Sequence, residues 1–153
     1  MKNANAIGVC ALPDQSGEVK SFKDLVGEKG AVLYVYPKDN TPGCSVEAAE
    51  FNALLKDFKS KGYNIVGISK DSVKSHSGFA ARFSLDFPLW SDGDIALIDS
   101  LGAYGEKSMY GKIVKGVKRT TLVLDREGRI LKKYENVKAG GHAAKVLADL
   151  DSL

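Results

Sequence analysis

The sequence predicts an α/β fold, a mixed central sheet flanked by helices. Short runs rich in β-branched, aromatic or leucine residues recur at 31–36, 64–69, 120–124 and 130–134, each bounded by turn formers. Stretches with apolar residues three or four apart fall between them. The turn Asp125-Arg126-Glu127-Gly128 joins the last two strands as a hairpin.

In chain order, Ala31-Val32-Leu33-Tyr34-Val35-Tyr36 is an unbroken apolar run and reads as a strand. Pro37 to Gly43 then leads into a helix over 44–59, with Ala48, Phe51, Leu55 and Phe58 on one face and Glu47, Glu50, Lys56 and Asp57 mostly on others. Thr41 suits its N-cap and Pro42 its first helical position. A strand at 64–69, helices at 73–83 and 95–101 and the hairpin strands follow. Gly140-Gly141 precedes a closing helix at 142–150, which His142 begins.

With 153 residues, 44% of them hydrophobic, the chain suffices for one domain, 1–153, with a real core. A formal charge of +3, with lysines scattered and densest over 107–119, gives no nucleic-acid motif. No stretch approaches a membrane span, so a soluble cytoplasmic protein is expected. No metal, haem, flavin or nucleotide motif is apparent, and His76 and His142 lack the spacing of a metal site; no cofactor is expected. Trp90 and Phe87 are expected to pack near the active-site loops, and Tyr104, Met109 and Tyr110 to line a neighbouring surface.

Cys44 carries the chemistry. The free N–H groups and positive end of a helix favour an anion, so a thiol in the first turn is suited to ionise, and a solvent-reachable thiolate attacks a peroxide oxygen or a disulfide sulfur. A buried cysteine acting as a small hydrophobe is the plainer alternative.

The spacing of Pro37, Thr41 and Cys44 at the end of an apolar strand resembles the Pro-x-x-x-Thr-x-x-Cys motif of peroxiredoxins. The text from Val35 to Ala48, and the segments 87–92, 105–112, 119–125 and 137–143, are similar to the bacterioferritin comigratory protein or peroxiredoxin Q subfamily, within the AhpC/TSA-like peroxidases. The resemblance implies a thioredoxin fold with an N-terminal extension. It also implies a thiol-dependent peroxidase reducing hydrogen peroxide and organic hydroperoxides through a cysteine sulfenic acid. Thioredoxins carry Cys-x-x-Cys at this junction; Thr41 stands at the first position here, which argues against dithiol exchange.

On that resemblance Cys44 is the peroxidatic nucleophile. Thr41 offers a hydroxyl to the peroxide or the thiolate, Pro37 shapes and shields the loop, and the amides of Gly43 and Cys44 are donors to peroxide oxygens. Arg119 would favour the thiolate and stabilise the leaving oxygen, and Glu47 would pair with it. Read without the resemblance, Arg119 is a solvated strand-edge charge and Glu47 a helix-terminus acid.

Many relatives carry a resolving cysteine at a position that is Ala49 here, or in the following helix near Ala80. Both are alanine, and Cys10 is the remaining thiol. It is expected to be a buried, inert residue, which makes this a one-cysteine enzyme resolved by thioredoxin, glutaredoxin with glutathione, or a small thiol. Alternatives are a two-cysteine enzyme using Cys10, and a redox sensor or binding protein switched by Cys44 oxidation. A monomer or weak homodimer is expected.

Overall fold

The computed structural model describes residues 6, 7 and 10–153, with Met109 described in its backbone alone. A short antiparallel pair, β1 (Ala11–Pro13) and β2 (Val19–Ser21), leads into the single-turn helix α1 (Phe22–Leu25). Next come β3 (Gly30–Val35), α2 (Pro42–Ala53), α3 (Leu55–Ser60), β4 (Tyr63–Ser69), α4 (Val73–Phe83), β5 (Leu89–Ser91) and α5 (Ala96–Ser100). The hairpin of β6 (Tyr104–Met109) and β7 (Lys112–Val117), the hairpin of β8 (Thr120–Asp125) and β9 (Ile130–Tyr134), and α6 (His142–Asp149) complete the chain.

Five strands form the central sheet in the order β5-β4-β3-β8-β9. β3 runs parallel to β4 and antiparallel to β8, and β4 runs parallel to β5, so the sheet is mixed as expected. All six residues of β3 are buried, which explains its continuous apolar run: a central strand covered on both faces needs no polar side. Its even positions Val32 and Tyr34 point into a core with α2, α3, α4 and α6, where Phe51, Phe58, Phe79 and Val146 pack. Its odd positions Ala31, Leu33 and Val35 point into a second core with α1 and α5, where Phe22, Trp90 and Ile98 pack.

The helix begins at Pro42 after the N-cap Thr41, as expected, but the single run expected to 59 breaks at Leu54, whose backbone (φ −101°, ψ 5°) leaves the helical range. The Asn52 side chain donates to the Ser84 carbonyl and accepts from the Asp86 amide beside this break. Phe51, Leu55 and Phe58 stay in one core across it. Trp90 packs on the second face, its indole N–H donating to the Lys20 carbonyl, while Phe87 packs edge-on against Tyr34 on the first. Only Phe87 therefore packs on the face that holds Cys44.

The β1-β2 pair, β5 and the β6-β7 hairpin were not expected. Three-residue strands are too short for a periodic signal, and β7 is largely exposed, so burial leaves little apolar pattern on it. Among the described residues no helix is long and apolar enough to cross a membrane.

Candidate active site

Register brings the site together. Val35, the last residue of β3, pairs with Thr120 on one side and Ile68 on the other. The chain leaving β3 at residues 36–44, the chain entering β8 at Arg119 and the chain leaving β4 therefore meet at one end of the sheet.

Pro42 at the first helical position fixes its own φ for the turn and has no N–H to satisfy. Thr41 holds the N-cap position with extended backbone, but its hydroxyl makes no capping bond; it donates to the Lys38 carbonyl at 2.9 Å instead. The first helical bond of α2 runs from the Ser45 amide to the Thr41 carbonyl, so the Gly43 and Cys44 amides come before it in the turn. Pro37 is half-buried directly after Tyr36.

Cys44 is 1% exposed, which corrects the expectation of a solvent-reachable thiol. Its side chain faces the α2 core, and Arg119 Nη2 lies 3.4 Å from Sγ. Arg119 Nη1 donates to Glu47 Oε1 at 2.7 Å. Glu47, three residues after Cys44, shares its helix face, so one planar fork spans sulfur and carboxylate. The ion pair is largely enclosed, with side-chain exposures of 16% for Arg119 and 0% for Glu47.

Burial pushes the Glu47 carboxyl up to about 7, against the pull of Arg119. Burial also works against the Arg119 charge, but Glu47 and Cys44 outweigh it and hold the guanidinium above its usual range. Guanidinium stays charged at every relevant pH, so the carboxyl is the half of the pair that titrates. Glu47 Oε2 is buried without a hydrogen-bond partner among the described groups. Gly43 gives the fork its space: a Cβ there would stand 3.0 Å from Arg119 Nη2.

Lys107, which the sequence did not mark as a site residue, reaches this neighbourhood from β6. Its ammonium donates to the Val117 carbonyl at 2.8 Å, and burial, with Arg119 adding to it, lowers its proton affinity. Asp39 and His76 were also missed. They are joined in a buried polar network behind the loop, and the signal was weak because the partners are far apart in sequence.

Cys10 is half-buried and packs on the second core, so the central sheet stands between it and Cys44. Burial, and then Asp92, push its thiol up. Ala49 is exposed on α2, and Ala80 lies in the core that holds Cys44. His142 is buried against Thr121, Phe51 and Tyr134, and its Nε2 lies 2.8 Å from the Thr121 hydroxyl.

Residues 5–133 match the AhpC/TSA family. The chain belongs to that family, the peroxiredoxins. It is 50% identical over 119 residues to Peroxiredoxin Bcp of Xanthomonas campestris, covering 78% of this chain and 74% of that protein. With Peroxiredoxin Bcp of Escherichia coli it shares 36% over 137 residues, 90% of this chain and 87% of that one. A solved structure of Xanthomonas campestris peroxiredoxin Q superposes with a TM-score of 0.85 at 44% identity, over 94% of this chain and 90% of that one. A structure of the bacterioferritin comigratory protein of the same organism, concerned with its alkyl peroxide reduction activity, matches with a TM-score of 0.85 at 43% identity over the same shares.

This peroxiredoxin has the thioredoxin fold of those neighbours. It is a thiol-dependent peroxidase whose substrates are a hydroperoxide and a reducing thiol.

Proposed function

We propose that this peroxiredoxin works by a one-cysteine mechanism, with Cys44 as peroxidatic nucleophile and an external thiol as reductant. In the first step the Cys44 thiolate attacks the distal oxygen of R-O-O-H. An S–O bond forms, the O–O bond breaks, and the alkoxide leaves with a proton as alcohol, or as water from hydrogen peroxide. Negative charge moves from sulfur to the leaving oxygen, so a fixed cation beside the sulfur serves both ends of the step. Arg119, 3.4 Å from Sγ and held by Glu47, has that position. Thr41 and the first-turn amides of Gly43 and Cys44 supply polar contacts for the peroxide oxygens.

The product sulfenic acid is reduced by two thiols in turn. The first displaces water and forms a mixed disulfide with Cys44; the second releases Cys44 and leaves as the oxidised external disulfide. Because Cys44 is 1% exposed, this half of the cycle needs the 37–44 loop and the start of α2 to open.

One observation carries the one-cysteine reading: Cys10 and Cys44 pack on opposite faces of the central sheet. A disulfide needs Cα atoms within roughly 7 Å, and two thiols packed on opposite faces of a sheet meet that limit only if one of them leaves its core. The test is the intact mass of pre-reduced protein, without reductant, after one equivalent of hydrogen peroxide. A gain of one oxygen that a sulfenic-acid trap captures, retained in Cys10→Ala and lost in Cys44→Ser, is expected. Loss of two hydrogens, or a linked dimer, that disappears in Cys10→Ala would make Cys10 the resolving thiol.

A further inference from the structure

Asp39 and His76 face each other 37 residues apart, with side-chain exposures of 1% and 0%. Ionisable groups this deep persist when their polar atoms are satisfied. Asp39 Oδ1 accepts from the Tyr36 hydroxyl at 2.6 Å, and Oδ2 accepts from the Ser75 hydroxyl at 2.8 Å. Oδ2 also lies 2.7 Å from His76 Nδ1, and His76 Nε2 lies 2.9 Å from the Trp90 carbonyl.

This set of partners assigns one proton. A carbonyl only accepts, so Nε2 carries a hydrogen. Burial pushes the Asp39 carboxyl upward, but hydrogen bonds from His76, Tyr36 and Ser75 outweigh it and hold the group below the ordinary aspartate range. Asp71, with a carboxylate oxygen within 4.8 Å of the ligand atoms of both residues, adds a second acid beside the pair.

The pair sits behind the loop that delivers the reactive turn. The Asp39 amide donates to Asp71 Oδ2 at 2.9 Å, and the Ser69 hydroxyl fixes that oxygen at 2.7 Å. Asn40 adopts a left-handed φ of 62° and accepts from Arg82 Nη1 at 3.2 Å. Consecutive residues between Pro37 and Thr41 are thus tied to the end of β4 and to α4.

We propose that Asp39 and His76 are positioning residues for peroxide reduction, a buried hydrogen-bonded pair that clamps the 37–41 loop against α4 and so aligns Thr41 with Cys44. The inference rests on Cys44 being the nucleophile. A loop displaced by about 1 Å loses roughly a hundredfold in an aligned reaction, but little in one that needs no alignment.

The test compares two reactions of Cys44 in wild type, His76→Asn and Asp39→Asn: sulfenate formation with limiting hydrogen peroxide, and alkylation by iodoacetamide. Melting curves record whether each variant is folded. In folded variants the peroxide rate is expected to fall roughly tenfold to a hundredfold while alkylation is no slower. Ser75→Ala, which removes one bond from Asp39, is expected to give a smaller fall in the same direction. The inference is overturned by a peroxide rate unchanged in folded variants, or by an equal decline in both reactions. Should both substitutions prevent folding, the same two rates in Ser75→Ala decide it. Failure of the wild type to form any Cys44 sulfenate would overturn the nucleophile assignment instead.

Discussion

Arg119 shows how much a single residue depends on the remainder of the chain. Its guanidinium bridges Cys44 and Glu47 across 75 and 72 positions of sequence. Lysine has the charge but not the planar fork, and cannot bridge both partners in the same way. Arg119→Lys is expected to lower kcat/KM for hydrogen peroxide by roughly 10²- to 10³-fold; a loss under about tenfold would assign the charge stabilisation to the α2 amides. Gly43→Ala tests the same geometry by crowding, since its Cβ would press on Nη2. A slower peroxide reaction with unchanged melting temperature is expected. At this scale Pro37, Thr41 and Cys44 were legible because they lie within one local motif. Arg119 read alone was a strand-edge charge, and only resemblance marked it. The bond from Thr41 to the Lys38 carbonyl and the burial of Cys44 were not legible, because both depend on how the loop folds back.

Among the elements, α2 links chemistry to core. Cys44 and Glu47 occupy its first turns, while Phe51, farther along, stacks on Tyr34 with ring centroids 4.7 Å apart. Phe51→Ala should cost about 3–5 kcal/mol by leaving a cavity beneath the helix, measured by urea unfolding. If the cost is below about 1 kcal/mol, the core has collapsed around the gap and α2 is not held by this ring. The apolar spacing of 48, 51, 55 and 58 identified the helix and its buried face. The break at Leu54 was invisible to that spacing, because Leu is a good helix former and the contacts beside the break come from Asn52 to residues 84 and 86. Similarly, among the described residues β6 and β7 pair only with each other, and nothing in their own composition reports a partner.

Over the whole molecule two buried groups pull the pH dependence of stability in opposite directions. The Glu47 carboxyl rises from 4.5 to about 7 on folding, so its contribution is full below 4.5 and lost as pH rises through about 7. His142 is lowered from 6.5 to about 4, by burial first and then by Arg119 and Lys145, so its contribution is full above 6.5 and lost as pH falls through about 4. Their windows overlap. Urea unfolding at a series of pH values should show Glu47→Gln gaining stability more steeply than wild type as pH rises from 4.5 to 7, and His142→Gln the reverse trend between 6.5 and 4. Parallel profiles for all three proteins would show that each group binds protons equally in the folded and unfolded states over this range.

Alternation of apolar runs with helical periods sufficed for the α/β class, the strand at the centre and the position of the reactive helix, because those signals are local and repeat every two or three to four residues. The placement of Cys44 in the first turn of that helix was legible for the same reason. Strand order, the face on which Cys10 lies, the fork of Arg119 and the pairing of Asp39 with His76 were decided by the tertiary structure. Each joins residues tens of positions apart through the register of a sheet and the closure of a core, and such contacts leave no period in the chain that makes them.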